Sequence, residues 1–333
     1  MVLAFAFLDS ICYWFYLRFG FGNSPVLGLY RHKRLFFNSG RPNVKIKVFF
    51  TFLLTPTKNL ARHSLKTILS VAGFDPSSGA GVTADLAVFA SFGAYGLSCI
   101  SALTVQSTVG VFASYPVAAH ILEETLNCLG QDLSLSAIKI GMLATADNVA
   151  TMSAFLRRCR VQLRAPVVLD PVLRSSSGVE LLDKQGIERM KEELLPLVDW
   201  VTPNYDELGI LIGRSIRLQG EAEAGGRALQ AMYPGLGVVA TGGDLQVPND
   251  LLLQPGGELH WLAGRKIEST STHGTGCAFS SALACGLAFG RGGLDAAVTA
   301  KHFVERAILR APGLGHGKGP MNLRWPLELQ GTN

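Results

Sequence analysis

The stretch Thr67-Ile68-Leu69-Ser70-Val71-Ala72-Gly73-Phe74-Asp75-Pro76-Ser77-Ser78-Gly79-Ala80-Gly81 decides the fold. Its first six residues read as a buried strand. The Gly/Ser/Pro run 73–81 is a loop, and an amphipathic helix follows over 82–92. The same alternation continues outward. Strands are predicted at 98–104, 137–140, 167–170, 200–202 and 238–241. Helices are predicted at 117–129, 147–160, 183–194, 205–212, 221–232, 278–289 and 294–310. Segments 251–253, 258–262 and 266–269 add short antiparallel strands. Strands that alternate with helices of ten or more residues predict one α/β domain over 66–326. It is a three-layer α/β/α sandwich with a mostly parallel central sheet, followed by a short tail at 327–333. Ligands bind at the carboxyl ends of such strands. The loops holding 73–81, Gln106, Gly141-Met142, Asp170-Pro171, Pro203-Asn204 and Thr241-Gly242-Gly243 all follow strands, so they can meet in one crevice.

At 333 residues, 48% hydrophobic and 17% charged, the chain can bury a substantial core, which excludes global disorder. The net charge of +5 is unevenly placed. Residues 1–66 hold ten of the 30 Lys/Arg and one of the 25 Asp/Glu, so the body is mildly acidic. That argues against nucleic acid as its partner. Six cysteines form neither a C-x-x-C pair nor a zinc-finger spacing, which suits a reducing cytosol and a cytoplasmic protein. The apolar run 1–17 is interrupted by Asp9 and Ser10, and its basic residues follow it, so it makes a poor signal peptide. Residues 1–65 read as a disordered or spurious extension in preference to a weak membrane anchor; the body itself calls for no membrane.

The second decisive stretch is Ser271-Thr272-His273-Gly274-Thr275-Gly276-Cys277. A glycine-spaced turn that opens a helix leaves backbone N–H groups unpartnered, and with the positive helix end they hold phosphate oxygens. Cys277 sits at that mouth, where it can take a proton from an attacking hydroxyl. The helix N-terminus is expected to lower its pKa toward thiolate, with a nearby polyphosphate opposing this. A small buried cysteine capping nothing is the plain alternative. Asp75 either bonds a substrate hydroxyl or organises its turn. Asp85 reads by default as an exposed carboxylate in the first helical turn. Gln106 offers the donor and acceptor that an aminopyrimidine edge needs. Met142 packs on a flat ring or fills the core. Asn204 and Glu207 can orient a hydrated Mg²⁺ beside ATP phosphates, or form a capping box; the two are compatible.

Together these segments, from about 66 to 325, resemble the hydroxymethylpyrimidine/phosphomethylpyrimidine kinases of thiamine biosynthesis, in the ribokinase-like superfamily. The likeness also rests on Ala84-Asp85-Leu86, Ala102-Leu103-Thr104-Val105-Gln106-Ser107-Thr108, Lys139-Ile140-Gly141-Met142-Leu143 and Gly315-His316-Gly317-Lys318-Gly319-Pro320. The resemblance implies an ATP- and Mg²⁺-dependent kinase of a small alcohol and then of its monophosphate, in a homodimer. It implies that Gln106 binds the pyrimidine, with Asp85, Gly73 and Met142 around the ring. Cys277 would be the base, and Gly274 and Gly276 the anion hole. Thr275, Thr241 and Gly243 belong with Asn204 and Glu207 on the ATP side. Three positions depart from the family pattern: Ala87, Ser176 and Thr241 stand where lysines are usual. A pyridoxal-type kinase and a pyrimidine-binding sensor without turnover are the alternatives.

Overall fold

Each strand of the central sheet alternates its side chains between two cores. Leu69, Val71, Ile138, Ile140, Val167, Leu169, Val238 and Ala240 face one; Ile68, Ala137, Val168 and Val239 face the other. Both faces are therefore apolar, the pattern of a sheet covered by helices on either side. The computed structural model describes residues 65–160, 164–175, 178–243 and 245–330. The expectations for residues 1–64, Ser176 and 331–333 fall outside the described residues.

The strands are β1 (Thr67–Phe74), β2 (Tyr95–Ser107), β3 (Gly110–Pro116), β4 (Ala137–Ile140), β5 (Val167–Leu169), β6 (Trp200–Val201), β7 (Gly237–Ala240), β8 (Asp250–Leu253) and β9 (Leu259–Leu262). They lie in the order β3-β2-β1-β4-β5-β6-β7-β8-β9. β2, β1, β4, β5, β6 and β7 are mutually parallel; β3, β8 and β9 are antiparallel to their neighbours. The chain leaves β1 to one side for β2 and to the other for β4, which opens a crevice at the carboxyl ends of β1 and β4. One face carries α2 (Ala119–Asp132), α3 (Ala146–Cys159), α4 (Lys184–Arg189), α5 (Tyr205–Ile212) and α6 (Gln219–Met232). The other carries α1 (Gly81–Ser91), α7 (Thr275–Ala288) and α8 (Gly293–Leu309), with the short α9 (Trp325–Gln330) against α1.

Four expectations are corrected. Gln106 lies inside β2 and not in a loop, because the strand runs on and folds back as the β2–β3 hairpin, pairing Gln106 with Val111 across a bulge. That hairpin escapes a search for half-buried strands because its outward face is apolar: Leu103, Val105, Phe112 and Tyr115 are exposed. The helix expected over 183–194 ends as α4 at Arg189, then loosens into a π turn (Met190–Leu194) and a 3₁₀ turn (Leu195–Leu197) around Pro196, which has no N–H to donate. Residues 266–269 form no strand, and part of the expected tail is α9.

Trp200 of β6 is buried between the sheet and α8. A Cβ added at Gly237 would sit 2.3 Å from its ring, and one at Gly293 also 2.3 Å, so two glycines make room for the buried indole. Alanine is ordinarily better than glycine in a strand by roughly 0.5–1 kcal/mol. Here the clash outweighs that gain. Gly237→Ala is expected to destabilise the protein by about 1–3 kcal/mol, read as a lower urea midpoint with an unchanged slope.

Candidate active site

The loop between β1 and α1 is organised by one carboxylate. Asp75 Oδ1 accepts from the Ser77 N–H (2.8 Å) and hydroxyl (2.7 Å), and Oδ2 accepts from the N–H groups of Gly79 (3.2 Å) and Ala80 (2.8 Å). His273 Nε2 lies 2.8 Å from the same Oδ2. Burial works against this carboxylate, but the His273 and Ser77 bonds outweigh it and hold its pKa below the usual value. Asp75 therefore has its oxygens occupied by the turn; the structure supports the second of its two readings. His273 Nε2 also lies 3.2 Å from Gln106 Nε2, so Asp75 and Gln106 converge on one ring nitrogen along one side of the crevice.

The two glycine loops interlock. Gly274 adopts φ +78°, and a Cβ there would fall 1.9 Å from the Gly79 carbonyl oxygen. Gly81 adopts φ +61°, with 2.2 Å to the Gly73 oxygen. Only glycine fits either position. Gly274 is the N-cap of α7, and no side chain caps that helix, so the N–H groups at Thr275, Gly276 and Cys277 open into the crevice. A Cβ at Gly73 would meet the Met142 sulfur at 2.9 Å. Met142 is itself buried against this glycine, at the floor between β1 and β4.

Beneath these loops lies a charged cluster inside the apolar core. Lys139, on β4, has no exposed surface. Its ammonium donates to Asp85 Oδ2 at 3.0 Å and stands 3.9 Å from Asp170 Oδ2. Asp85 also accepts from Ser70 Oγ (2.5 Å) and Ser281 Oγ (2.7 Å). Asp85 is thus corrected from an exposed helix-end carboxylate to a sealed partner of Lys139: it is on the inward face of α1. Ser280 donates to Asp170 at 3.2 Å. Burial raises the Asp170 pKa, Lys139 lowers it, and Asp85 raises it again; the net direction is up. Burial depresses the Lys139 pKa, but Asp85, Cys277 and Asp170 outweigh it, and it stands above the usual lysine value.

The expectation of a thiolate at Cys277 is overturned. Burial pushes the thiol up to about 12, and Asp170 and Asp85 add to this; Lys139 and the Gly81 N–H pull the other way without prevailing. The helix terminus acts on a half-buried thiol that two carboxylates also face.

Beyond β5, Asn204 and Glu207 form the full capping box of α5. Asn204 Oδ1 accepts from the Glu207 N–H at 2.8 Å, and Glu207 Oε2 accepts from the Asn204 N–H at 2.9 Å. Burial, reinforced by the charge of Asp170, raises Glu207 to about 8. Thr241 bridges to Asn204, its N–H donating to the Pro203 oxygen at 2.9 Å. Asp250 holds the next turn: its Oδ1 accepts from the Gly242 N–H at 3.0 Å, and Lys301 donates to its Oδ2 at 2.7 Å. Gly243 is exposed, and Lys266 donates to its carbonyl at 3.3 Å. A cation thus reaches the loop where Thr241 replaces a lysine. Arg174, by contrast, is paired with Glu180 at 3.6 Å. Ala87 packs against the α1–α7 core.

Asp170 joins the two halves. It faces Gly276, where a Cβ would lie 3.9 Å from Oδ1; it faces Lys139; and its charge reaches Glu207. Sequence reasoning missed Lys139, His273, Ser280 and Ser281. The available signal for Lys139 was a charge between two isoleucines in a strand of four buried residues.

A family profile described as "Phosphomethylpyrimidine kinase" matches residues 75–322. The chain is 39% identical over 259 residues to a hydroxymethylpyrimidine/phosphomethylpyrimidine kinase of Rhizobium meliloti, covering 76% of this chain and 95% of that one. It also matches the thiamine biosynthesis multifunctional protein ThiED of Corynebacterium efficiens, at 36% identity over 77% of this chain, but spans only 34% of that larger protein. Among solved structures it resembles phosphomethylpyrimidine kinase from Clostridium difficile (TM-score 0.64, 29% identity, 73% of this chain and 99% of that one). It resembles pyridoxal kinase from Staphylococcus aureus in complex with AMP-PCP and pyridoxal as well (TM-score 0.70, 27% identity, 78% and 94%). The fold is the one these vitamin kinases share, and the chain belongs to the phosphomethylpyrimidine kinase family.

Proposed function

We propose that this chain is an ATP-dependent kinase of thiamine biosynthesis. It phosphorylates the hydroxymethyl group of 4-amino-5-hydroxymethyl-2-methylpyrimidine, and then the resulting monophosphate to the diphosphate. The observation that carries the reading is the uncapped mouth of α7, locked by Gly274 against Gly79, with Cys277 at its edge and Gln106, Gly73 and Met142 around the same loop. In this reading the amide of Gln106, oriented by His273, pairs with the aminopyrimidine edge. The Thr275, Gly276 and Cys277 N–H groups receive the charge that builds on the transferred phosphoryl group. The Asn204/Glu207 end of α5 and the Thr241–Gly243 loop lie on the ATP side. Glu207 is buried near the Asp170 carboxylate and keeps its proton in the metal-free protein; a hydrated Mg²⁺ held through water would favour its carboxylate form. When bound, the ion would neutralise phosphate charge.

The test is product formation from each substrate with Mg-ATP, followed by chromatography. Diphosphate is expected. Monophosphate alone would limit the chain to one step, and binding without any product would leave a sensor. The likeness to pyridoxal kinase favours a second arm with pyridoxal and pyridoxine in the same assay. Cys277→Ala is expected to lower kcat by roughly 100-fold or more while substrate affinity changes by less than about threefold.

Glu207 gives a pH signature in the metal-free protein. Its folded pKa is raised, so the folded state holds a proton the unfolded chain has released. Its contribution to stability is present below the ordinary carboxylate range and is lost as pH rises toward about 8. Relative to Glu207→Gln, which keeps the capping acceptor, the wild type is expected to lose stability across that window. Thermal melts of the two proteins that stay parallel would refute this.

We extend the proposal to a cytoplasmic homodimer. Five cysteines of the described residues are free thiols, and no helix among the described residues is long and apolar enough to cross a membrane. The dimer is supported by the outward apolar face of the β2–β3 hairpin, where Phe112 is 71% exposed beside Leu103, Val105 and Tyr115. Leu103→Asp with Tyr115→Asp is expected to halve the mass measured by light scattering, and an unchanged mass would place the interface elsewhere.

A further inference from the structure

Lys139 is a buried charge to which the proposed function gives no task, and its surroundings assign it one. Asp85 is fully occupied in holding it, with Ser70, Ser281 and Lys139 filling its oxygens. A Cβ added at Gly141 would lie 2.9 Å from its Nζ, so the glycine leaves the room that the ammonium occupies. The groups acting on Cys277 Sγ come from two elements and one loop: Lys139 of β4, Asp85 and the Gly81 N–H of α1, and Asp170 after β5; the Lys139 ammonium stands 3.9 Å from Asp170 Oδ2, and Asp170 faces Gly276, the neighbour of Cys277. Two of these are carboxylates that oppose charge on sulfur. Lys139 is the cation that favours it. The resting Cys277 is a thiol, and a thiol cannot accept a proton.

We propose that Lys139 is a positioning residue for phosphoryl transfer, its ammonium fixed beneath the mouth of α7 to hold the negative charge that passes between the Asp170 carboxylate and Cys277 Sγ. The proposal rests on the kinase reading. In the step it serves, the Sγ–H proton moves to the Asp170 carboxylate and the sulfur becomes the base. The substrate hydroxyl gives its proton to sulfur as its oxygen bonds the γ-phosphorus. The bond from that phosphorus to ADP breaks, and ADP leaves with the electron pair. The extra proton on Asp170 returns to solvent with product release. Lys139 keeps its charge throughout, so the proton shift never leaves the buried cluster without its cation.

The experiment uses Lys139→Met and the double variant Asp85→Asn/Lys139→Met, in the full chain. The double variant keeps the formal charge of the cluster while removing the cation, and it leaves fewer buried groups unpaired if the single variant fails to fold. Folding is checked by circular dichroism. The first readout is alkylation of Cys277 by iodoacetamide against pH, followed on its own peptide by mass spectrometry. Both variants are expected to react about tenfold more slowly or worse, with the inflection moved to higher pH. The second readout is turnover: kcat is expected to fall by roughly 100-fold or more with KM for Mg-ATP within about threefold. A Lys139 that only supports the fold leaves the Cys277 alkylation profile of the folded variants superimposed on the wild type. That result, or a double variant with wild-type kcat, overturns the proposal. Alkylation requires no turnover, so failure of this inference is distinguishable from failure of the kinase reading.

Discussion

The buried ion pair between Lys139 and Asp85 is the constraint around which the rest of the site is arranged. It occupies sheet positions that the alternation reserves for apolar side chains, and it ties β1, α1, β4 and α7 together through Ser70, Asp85, Lys139 and Ser281. Such a pair is costly to desolvate and is weak evidence for stability. Removing one partner alone, however, strands a charge and typically costs about 3–5 kcal/mol. What it secures is placement. Its charges reach Cys277 at the start of α7, and Asp170 extends the cluster toward Glu207.

The two halves of the crevice are held by different means. On the side of Gln106 the order comes from backbone N–H groups gathered on Asp75 and from His273. On the side of Asn204 it comes from the capping box of α5 and from Asp250, which a lysine on α8 neutralises. Neither depends on a long-range ion pair at the surface, where solvent would weaken it.

Much of this was legible from residue patterns. The strand–loop–helix at 67–92 fixed the parallel core because both faces of its strand are apolar. α5 was read with its observed ends because Asn204 and Glu207 mark its start and Gly213, in a left-handed conformation, marks its end. The β2–β3 hairpin was not legible, since an outward face bearing Leu103, Val105, Phe112 and Tyr115 erases the alternation on which strand recognition relies. The protonation of Cys277 was misjudged for a physical reason. A helix terminus is a local feature that sequence displays, whereas the two carboxylates that face the sulfur, Asp85 and Asp170, are brought there by packing from far away in the chain. Asp85 failed in the same way: its place in the first helical turn was visible, but the direction it faces was not.

The contact of Gly274 with the Gly79 carbonyl joins segments from opposite ends of the domain. Its consequence is one of timing. A chain emerging from the ribosome can assemble β1, β2 and β4 and bury most of their apolar surface before α7 exists. The anion pocket has no walls until that late segment docks, because one wall is the early loop and the other is the helix. The pairing of the two glycine loops is therefore acquired last, in a single closing event, and a half-made chain lacks it.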